Sequence, residues 1–454
     1  MADLHVPLDR AKGGLAAQIA TELRESIRSG RLVAGTRLPA TRDLAADLAV
    51  SRGVVVEAYE QLVAEGFLLS VTGRGTQVSP LGAPARRSAP AAPTGPSQPP
   101  HYGHRPTSPD LGHFPRERWL ASIRHVLTTA PVDALDYSDP GGVPELRREL
   151  AGYLRRVRAA DVTEAGVVVV GGVAQGLSLV LHVLGPTTLA VEDPTSQRQL
   201  PLLRRAGARV VRVPVDDEGI DVEALARTGA KAVLLTPAHQ YPTGVVLSPA
   251  RRAQLIAWGG MVLEDDYDAE LRFDRDPVGC LQGLAPDRVV LSGSVSKSMA
   301  PGLRLGWVVA PGSMAETIGL ARGELDLGSP VIEQYALAHF LRSGGYDRHL
   351  RKMRREYRKR RDALVTALGE HLPEVTVKGI EAGLHAYLEL PPGWDEAVAA
   401  EEATRLGLPA EGVAPMRERP GPPAVVVGFA RLPAHRAAPA VRALKVRMSG
   451  QTID

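Results

Sequence analysis

The sequence predicts an α/β chain in two folding units: a small, mostly helical N-terminal module and a large domain built on a mainly parallel sheet. Three observations carry that expectation. A chain of 454 residues exceeds what one ordinary core supports. Residues 81–109 are rich in Pro, Ala, Gly and Ser, a composition that cannot build a core and behaves as a semi-rigid spacer. Beyond it, short β-rich apolar runs alternate with helix-length segments, the pattern of a parallel sheet covered by helices. The expected boundaries are a module at 12–79, a linker at 80–109 and a large domain at 110–450.

In the module, Leu15, Ile19, Leu23 and Ile27 recur every four residues and predict a helix with one apolar stripe, ended by Gly30. Thr41 is expected to cap a short second helix with Leu44 and Leu48 inward. Val50-Ser51 then opens a third, with Val55, Ala58, Tyr59 and Leu62 inward and Gly66 at its end. Phe67 to Val71 and Thr76 to Val78 read as two strands joined by Thr72-Gly73-Arg74-Gly75. This is a winged helix-turn-helix layout.

The run Ser29-Gly-Arg-Leu-Val-Ala-Gly-Thr-Arg-Leu-Pro-Ala-Thr-Arg-Asp-Leu-Ala45, with Val50-Ser-Arg52 and Ala58-Tyr-Glu-Gln-Leu-Val-Ala-Glu-Gly66, resembles the DNA-binding domain of GntR-type transcription regulators. The resemblance implies DNA-contact positions at Arg42, Ser51, Arg52 and Gly53, with Arg74 at the wing tip reaching the backbone or minor groove of a double-stranded operator. Ser51 and Arg52 begin the helix that would enter a major groove, where side chains reach base edges or phosphates. Gly53 has no side chain to read a base and suits close backbone approach. The bland alternative pairs Arg42 and Arg52 with Asp43 or Glu57 on a solvated surface. Net charge does not advertise the partner: it is +3 over the whole chain, and the first 80 residues hold nine Lys/Arg against nine Asp/Glu.

In the large domain the apolar runs are Val167–Val170, Leu189–Glu192, Val210–Val213, Ala232–Leu235, Met261–Glu264 and Val289–Leu291. Ligands of such sheets gather at the loops after the strands' carboxyl ends. Gly171 to Gly176 opens a helix after the first run, and the exposed amides and dipole of a helix start suit a phosphate. Glu264-Asp-Asp-Tyr-Asp-Ala-Glu270 follows another run, and Ser292-Gly-Ser-Val-Ser-Lys-Ser298 a third, with Arg304 seven residues beyond Lys297. A lysine amine, a carboxylate and a phosphate loop are what pyridoxal 5'-phosphate requires: an accessible neutral amine meets its aldehyde, and the carboxylate keeps its ring nitrogen protonated.

With Thr236-Pro-Ala-His-Gln-Tyr-Pro-Thr-Gly244 and Ala300-Pro-Gly-Leu-Arg-Leu-Gly306, the domain resembles fold type I aminotransferases. Joined to the module, the chain is similar to MocR-type regulators of the GntR family. The resemblance implies Lys297 as the Schiff-base lysine, Asp265 as the ring-nitrogen carboxylate ahead of Asp266 and Asp268, and Tyr267 at the ring hydroxyl. It implies Gly172, Val173, Ala174, Ser294 and Arg304 at the phosphate, Tyr137 reaching the phosphate of a partner subunit in a homodimer, and Arg431 on a ligand carboxylate. Two departures stand out. Ser196 occupies the place of a ring-stacking aromatic, and Tyr241 stands where ordinary aminotransferases carry asparagine, which weakens the case for a metabolic transaminase.

The expected function is a DNA-binding transcription regulator that senses pyridoxal phosphate or its adduct with an amine or amino acid. Two alternatives are an active aminotransferase with an accessory module, and a DNA-binding dimer whose large domain is a relic. The single cysteine, Cys280, excludes a disulfide framework or a cysteine-based zinc cluster and points to the cytoplasm; no metal site is expected. Met1 to Gly14 carries no export signal, and the apolar stretch Val167 to Leu184 is too interrupted for a membrane helix. The basic run Arg351 to Arg361 is expected on the solvated face of a long helix with Met353, Tyr357 and Leu364 inward.

Overall fold

The computed structural model describes residues 6–71, 75–80, 105–273 and 278–449. Arg74 and most of the spacer lie outside the described residues. The chain divides into two compact units, Met1–Pro100 and His101–Asp454.

The first unit comprises α1 (Leu15–Arg28), α2 (Thr41–Asp47), α3 (Arg52–Ala64) and the antiparallel pair β1 (Leu68–Val71) and β2 (Gly75–Val78). Ile19, Leu23, Ile27, Leu44, Val55, Ala58, Leu62, Leu68 and Val78 form its core, nearly all without solvent contact. Each such side chain contributes about 1.5–3 kcal/mol by leaving water, so this small set must hold the three helices together. Val6 and Leu8, upstream of residue 12, join the same core. Thr41 does not cap α2: Ala40 takes the cap position, and the Thr41 hydroxyl accepts from Arg52 Nε at 3.4 Å instead. Arg10 closes the far end of α2, donating to the carbonyls of Leu48 and Ala49 at 3.1 and 3.0 Å.

The second unit is built on an eight-stranded sheet, ordered β3 (Val167–Val170), β10 (Gly306–Val309), β9 (Val289–Ser294), β8 (Met261–Asp265), β7 (Ala232–Leu235), β4 (Thr187–Asp193), β5 (Ala208–Asp216) and β6 (Gly219–Ile220). The run β9-β8-β7-β4-β5 is parallel, whereas β10 is antiparallel to both its neighbours. The residues between β9 and β10 are too few for a crossover helix, so the chain turns back. That return matters for the site. Gly306, the first residue of β10, is level with Val170 and Ser294, the last of β3 and β9, so Arg304 arrives at the rim where the parallel strands end.

A second sheet, ordered β11 (Thr376–Lys378), β12 (His385–Glu389), β14 (Ala424–Gly428) and β13 (Ala410–Gly412), is antiparallel. The helix Gly345–His371 buries Met353, Tyr357 and Leu364 as its spacing predicts. Its basic run is not simply solvated, however. Arg360 is buried against Asp110 and Glu356, and Arg354 and Arg358 donate to the carbonyls of Glu270 and Phe273. These arginines spend their charge on the fold. Among the described residues no helix is long and apolar enough to cross a membrane.

Candidate functional site

The fold brings the carboxyl ends of β3, β8 and β9 and the start of β10 to one rim. Asp265 is the last residue of β8, a strand buried throughout from Val262, and is itself 5% exposed. Its Oδ2 accepts from Gln199 Nε2 at 3.1 Å, while Oδ1 is buried with no hydrogen-bond partner. Burial, opposed by the Gln199 bond and reinforced by Asp266, pushes its pKa up to about 7. The neighbouring carboxylates are already engaged. Asp266 forms a two-pronged pair with Arg158 at 2.7 and 3.1 Å, and Asp268 meets His239 Nδ1 at 2.8 Å. Of the three aspartates, Asp265 is therefore the one with an acceptor to offer, because a buried unpaired acceptor is costly until a donor arrives.

Lys297 lies in the loop after β9. Its Nζ donates to Thr107 Oγ1 at 3.0 Å. Burial, aided by the positive charge of Arg105 and resisted by Asp268 and Asp265, lowers its pKa to about 8, so a neutral, nucleophilic amine is accessible near neutrality. The Tyr267 hydroxyl is 3.1 Å from His239 Nδ1, and burial raises its pKa well above the ordinary phenol value. Beside it, His385 is buried among His239, Tyr241 and the β14 strand, with burial holding its imidazole neutral.

Gly172 separates β3 from the helix Val173–Leu184 at φ +110°, a conformation that suits glycine. A Cβ there would stand 2.8 Å from Arg304 Nη2, so the guanidinium rests directly on the turn. No side chain caps this helix start, which has the Arg304 guanidinium against it, and the buried Ser294 ends β9 level with Gly306. Gly172, Val173, Ala174, Ser294 and Arg304 are thereby brought to the strand-end rim that carries Asp265 and Lys297. These residues fit a phosphorylated pyridine aldehyde: an amine, an unsatisfied acceptor and an anion cradle.

Arg431 follows β14, and its Nε donates to the Pro109 carbonyl at 2.9 Å; among the described residues it forms no ion pair. Tyr137 is not brought into the site of its own chain. It is 84% exposed, which excludes a packed core role. In the first unit, Arg42, Ser51, Arg52 and Gly53 are all exposed, Ser51 at the cap and Arg52 at the first turn of α3. Neither arginine is ion-paired among the described residues, so the Asp43 and Glu57 pairings do not form. Arg74 lies outside the described residues. Sequence reading missed Gln199 and Thr107, which reach Asp265 and Lys297 from 66 and 190 residues away.

A helix-turn-helix with an exposed basic helix start, on one chain with a strand-end lysine and carboxylate, defines a transcription regulator fused to an aminotransferase-like domain. Residues 15–78 match the gntR family of bacterial regulatory proteins, and residues 109–419 match aminotransferase class I and II. The chain belongs to the GntR-family regulators of the MocR type, whose second domain is of the aminotransferase class I and II family. It is 35% identical to the HTH-type pyridoxine biosynthesis transcriptional regulator PdxR of Corynebacterium glutamicum over 86% of each chain. It is 31% identical to the probable rhizopine catabolism regulatory protein MocR of Rhizobium meliloti, over 89% of this chain and 86% of that one. Among solved structures, the kynurenine aminotransferase of Pyrococcus horikoshii superposes with a TM-score of 0.70 at 25% identity, covering 77% of this chain and 91% of the enzyme.

Proposed function

We propose that this regulator binds pyridoxal 5'-phosphate at Lys297 and senses the cofactor or its adduct with an amine or amino acid, changing its hold on an operator. The observation that carries this reading is the buried, unpartnered Asp265 Oδ1 on the same rim as Lys297 and the Gly172 and Arg304 turn. When bound, the cofactor supplies a carbonyl that condenses reversibly with primary amines and a ring that withdraws electrons. Lys297 holds it covalently, and Asp265 accepts the ring N–H and keeps that proton in place. The amides of Gly172, Val173 and Ala174, with Ser294 and Arg304, hold the phosphate. Tyr267 positions a proton at the ring hydroxyl, and Arg431 offers a planar donor fork to a ligand carboxylate.

Tyr137 lines one surface cleft with Leu135 and Leu327, and all three are exposed. Their exposure favours a homodimer in which Tyr137 reaches the partner's phosphate. On the module, Arg42 and Arg52 contact phosphate or base edges, with Arg74 as a further proposed contact.

The test titrates the full chain with pyridoxal phosphate, reduces with borohydride and maps the modified peptide, then footprints operator DNA with and without cofactor and amino acids. A modified Lys297 together with altered occupancy supports the reading; unchanged occupancy across all conditions sinks it. Retention of Lys297, Asp265 and Arg431 together also favours residual transamination. Turnover of an amino donor and an oxoacid that Lys297→Ala abolishes would establish that second reading.

A further inference from the structure

We infer that residues 105–109, where the spacer meets the large domain, form a strap that ligand occupancy displaces, because Thr107 and Pro109 hold the Lys297 and Arg431 nitrogens that a cofactor-bound amino acid needs. The inference rests on the function proposed above. Lys297 Nζ donates to Thr107 Oγ1 at 3.0 Å, and Arg431 Nε donates to the Pro109 carbonyl at 2.9 Å. Between them the Pro106 backbone presses on Gly428, where a Cβ would come within 2.4 Å of the Pro106 oxygen. Only glycine lets the segment lie that close to β14.

The far end is anchored independently. The Asp110 amide donates to the Tyr357 hydroxyl at 2.9 Å, and its carboxylate meets Arg360 at 2.9 Å and His113 at 2.8 Å. The segment itself is a small turn, with Ser108 N bonded to the Arg105 carbonyl at 2.9 Å and Arg105 N to Ser108 Oγ at 3.0 Å. Asp110 is thus a fixed post, and the ties that Thr107 and Pro109 make to the domain run through the site.

Each tie answers to a different chemical group. Condensation of an aldehyde with the neutral lysine amine forms a C=N bond and expels water, which carries off the aldehyde oxygen and both amine hydrogens. The N–H given to Thr107 is then gone. A carboxylate on the ligand competes with the Pro109 carbonyl for Arg431, and the anion wins because its full charge and two oxygens match the guanidinium fork, where a carbonyl offers only a dipole and one oxygen. The strap therefore responds in two steps, first to the cofactor and then to a carboxylate-bearing amine. It continues in sequence directly into the spacer that leads to the module.

Hydrogen exchange by mass spectrometry on the full chain tests this, reading the amides of Arg105 and Ser108 against Asp110 as the fixed control. Without cofactor, Lys297→Ala and Thr107→Val are expected to speed exchange at Arg105 and Ser108 about five-fold, the weight of one hydrogen bond, with Thr107→Ser restoring the slow rate. Equal rates in the wild-type chain and Lys297→Ala overturn the strap. Pyridoxal phosphate is expected to give the same acceleration; ethylamine, whose amine replaces Lys297 in the C=N bond and so returns the lysine N–H to Thr107, is expected to reverse it, and alanine, whose carboxylate also takes Arg431, to leave exchange faster than ethylamine does. If borohydride traps a Lys297 adduct yet exchange stays unchanged, the strap fails while the cofactor reading stands. If no adduct forms, the cofactor reading fails, and the cofactor-free variants still decide the strap.

Discussion

At the scale of single residues, the site is defined by groups held away from their ordinary ionisation. Lys297 has its pKa lowered from 10.5 to about 8, chiefly by burial. The sign of its effect on stability follows. Between pH 8 and 10.5 the unfolded chain binds a proton that the folded chain has released, so stability rises with pH through that window. Below pH 8 the folded state must keep a charged amine in a dehydrated place, at a cost of about 3 kcal/mol for a shift of this size. Lys297→Met is accordingly expected to raise the urea midpoint of the cofactor-free large domain at pH 7, with the gain shrinking toward pH 10. A midpoint difference that does not change with pH would mean the amine is not dehydrated. Asp265 carries the mirror-image tension, its pKa raised by the same burial. Both groups cost stability near neutrality until a ligand satisfies them, which is the behaviour expected of binding residues rather than of structural ones.

At the scale of elements, two helix starts carry the proposed contacts. Arg52 opens α3, exposed and without an ionic partner among the described residues, so it adds little to the module's own stability. Arg52→Ala is expected to leave the module's melting temperature within a degree or two while weakening operator binding roughly ten-fold. A salt-titration slope reduced by about one would mark a phosphate contact, whereas an unchanged slope with relaxed sequence preference would mark a base contact. The other helix starts at Gly172, whose backbone conformation disfavours a side chain and where a Cβ would push the Arg304 guanidinium aside. Gly172→Ala is expected to raise the apparent dissociation constant for pyridoxal phosphate at least ten-fold in an absorbance titration, or about 1.4 kcal/mol. Pyridoxal without its phosphate should bind both forms alike, since the damage is confined to the anion cradle.

Much of this was legible because the informative residues sit at the ends of strongly apolar strands: Asp265 closes β8, and Lys297 follows β9 by three positions. What sequence did not disclose was pairing across distance. The singling out of Asp265 from its neighbours depends on Arg158 taking Asp266 and His239 taking Asp268, and Thr107 reaches Lys297 only because the chain folds back over β14. The strands β11 and β13 are three residues each, too short to show a period, and β10 was hidden by a connection too brief for the parallel pattern around it. Thr41 failed as a cap because helix starts are set to within a residue or two by tertiary packing, and here Arg52 competes for its hydroxyl.

At the scale of the whole molecule, composition says little: a net charge of +3 over 454 residues gives no field that would itself collect DNA. Regulation must then reside in coupling between binding events. If adding amino acid to the cofactor-loaded chain changes operator affinity by some factor, thermodynamic linkage requires operator DNA to change that chain's amino acid affinity by the same factor, typically about 5- to 150-fold for a regulated protein. Two independent titrations measure it: fluorescence anisotropy of labelled operator without ligand, with cofactor and with cofactor plus amino acid, whose last step gives the amino acid's factor, and the cofactor's absorbance change on adding amino acid with and without operator. Equal, non-unit factors are expected in the wild-type chain. In Thr107→Val the cofactor's share should fall, because one tie is already undone before the cofactor arrives, while the share belonging to the ligand carboxylate at Arg431 should persist. A factor of one in both titrations would separate the two activities altogether, leaving a DNA-binding protein and a cofactor-binding domain that share a chain without sharing a free energy.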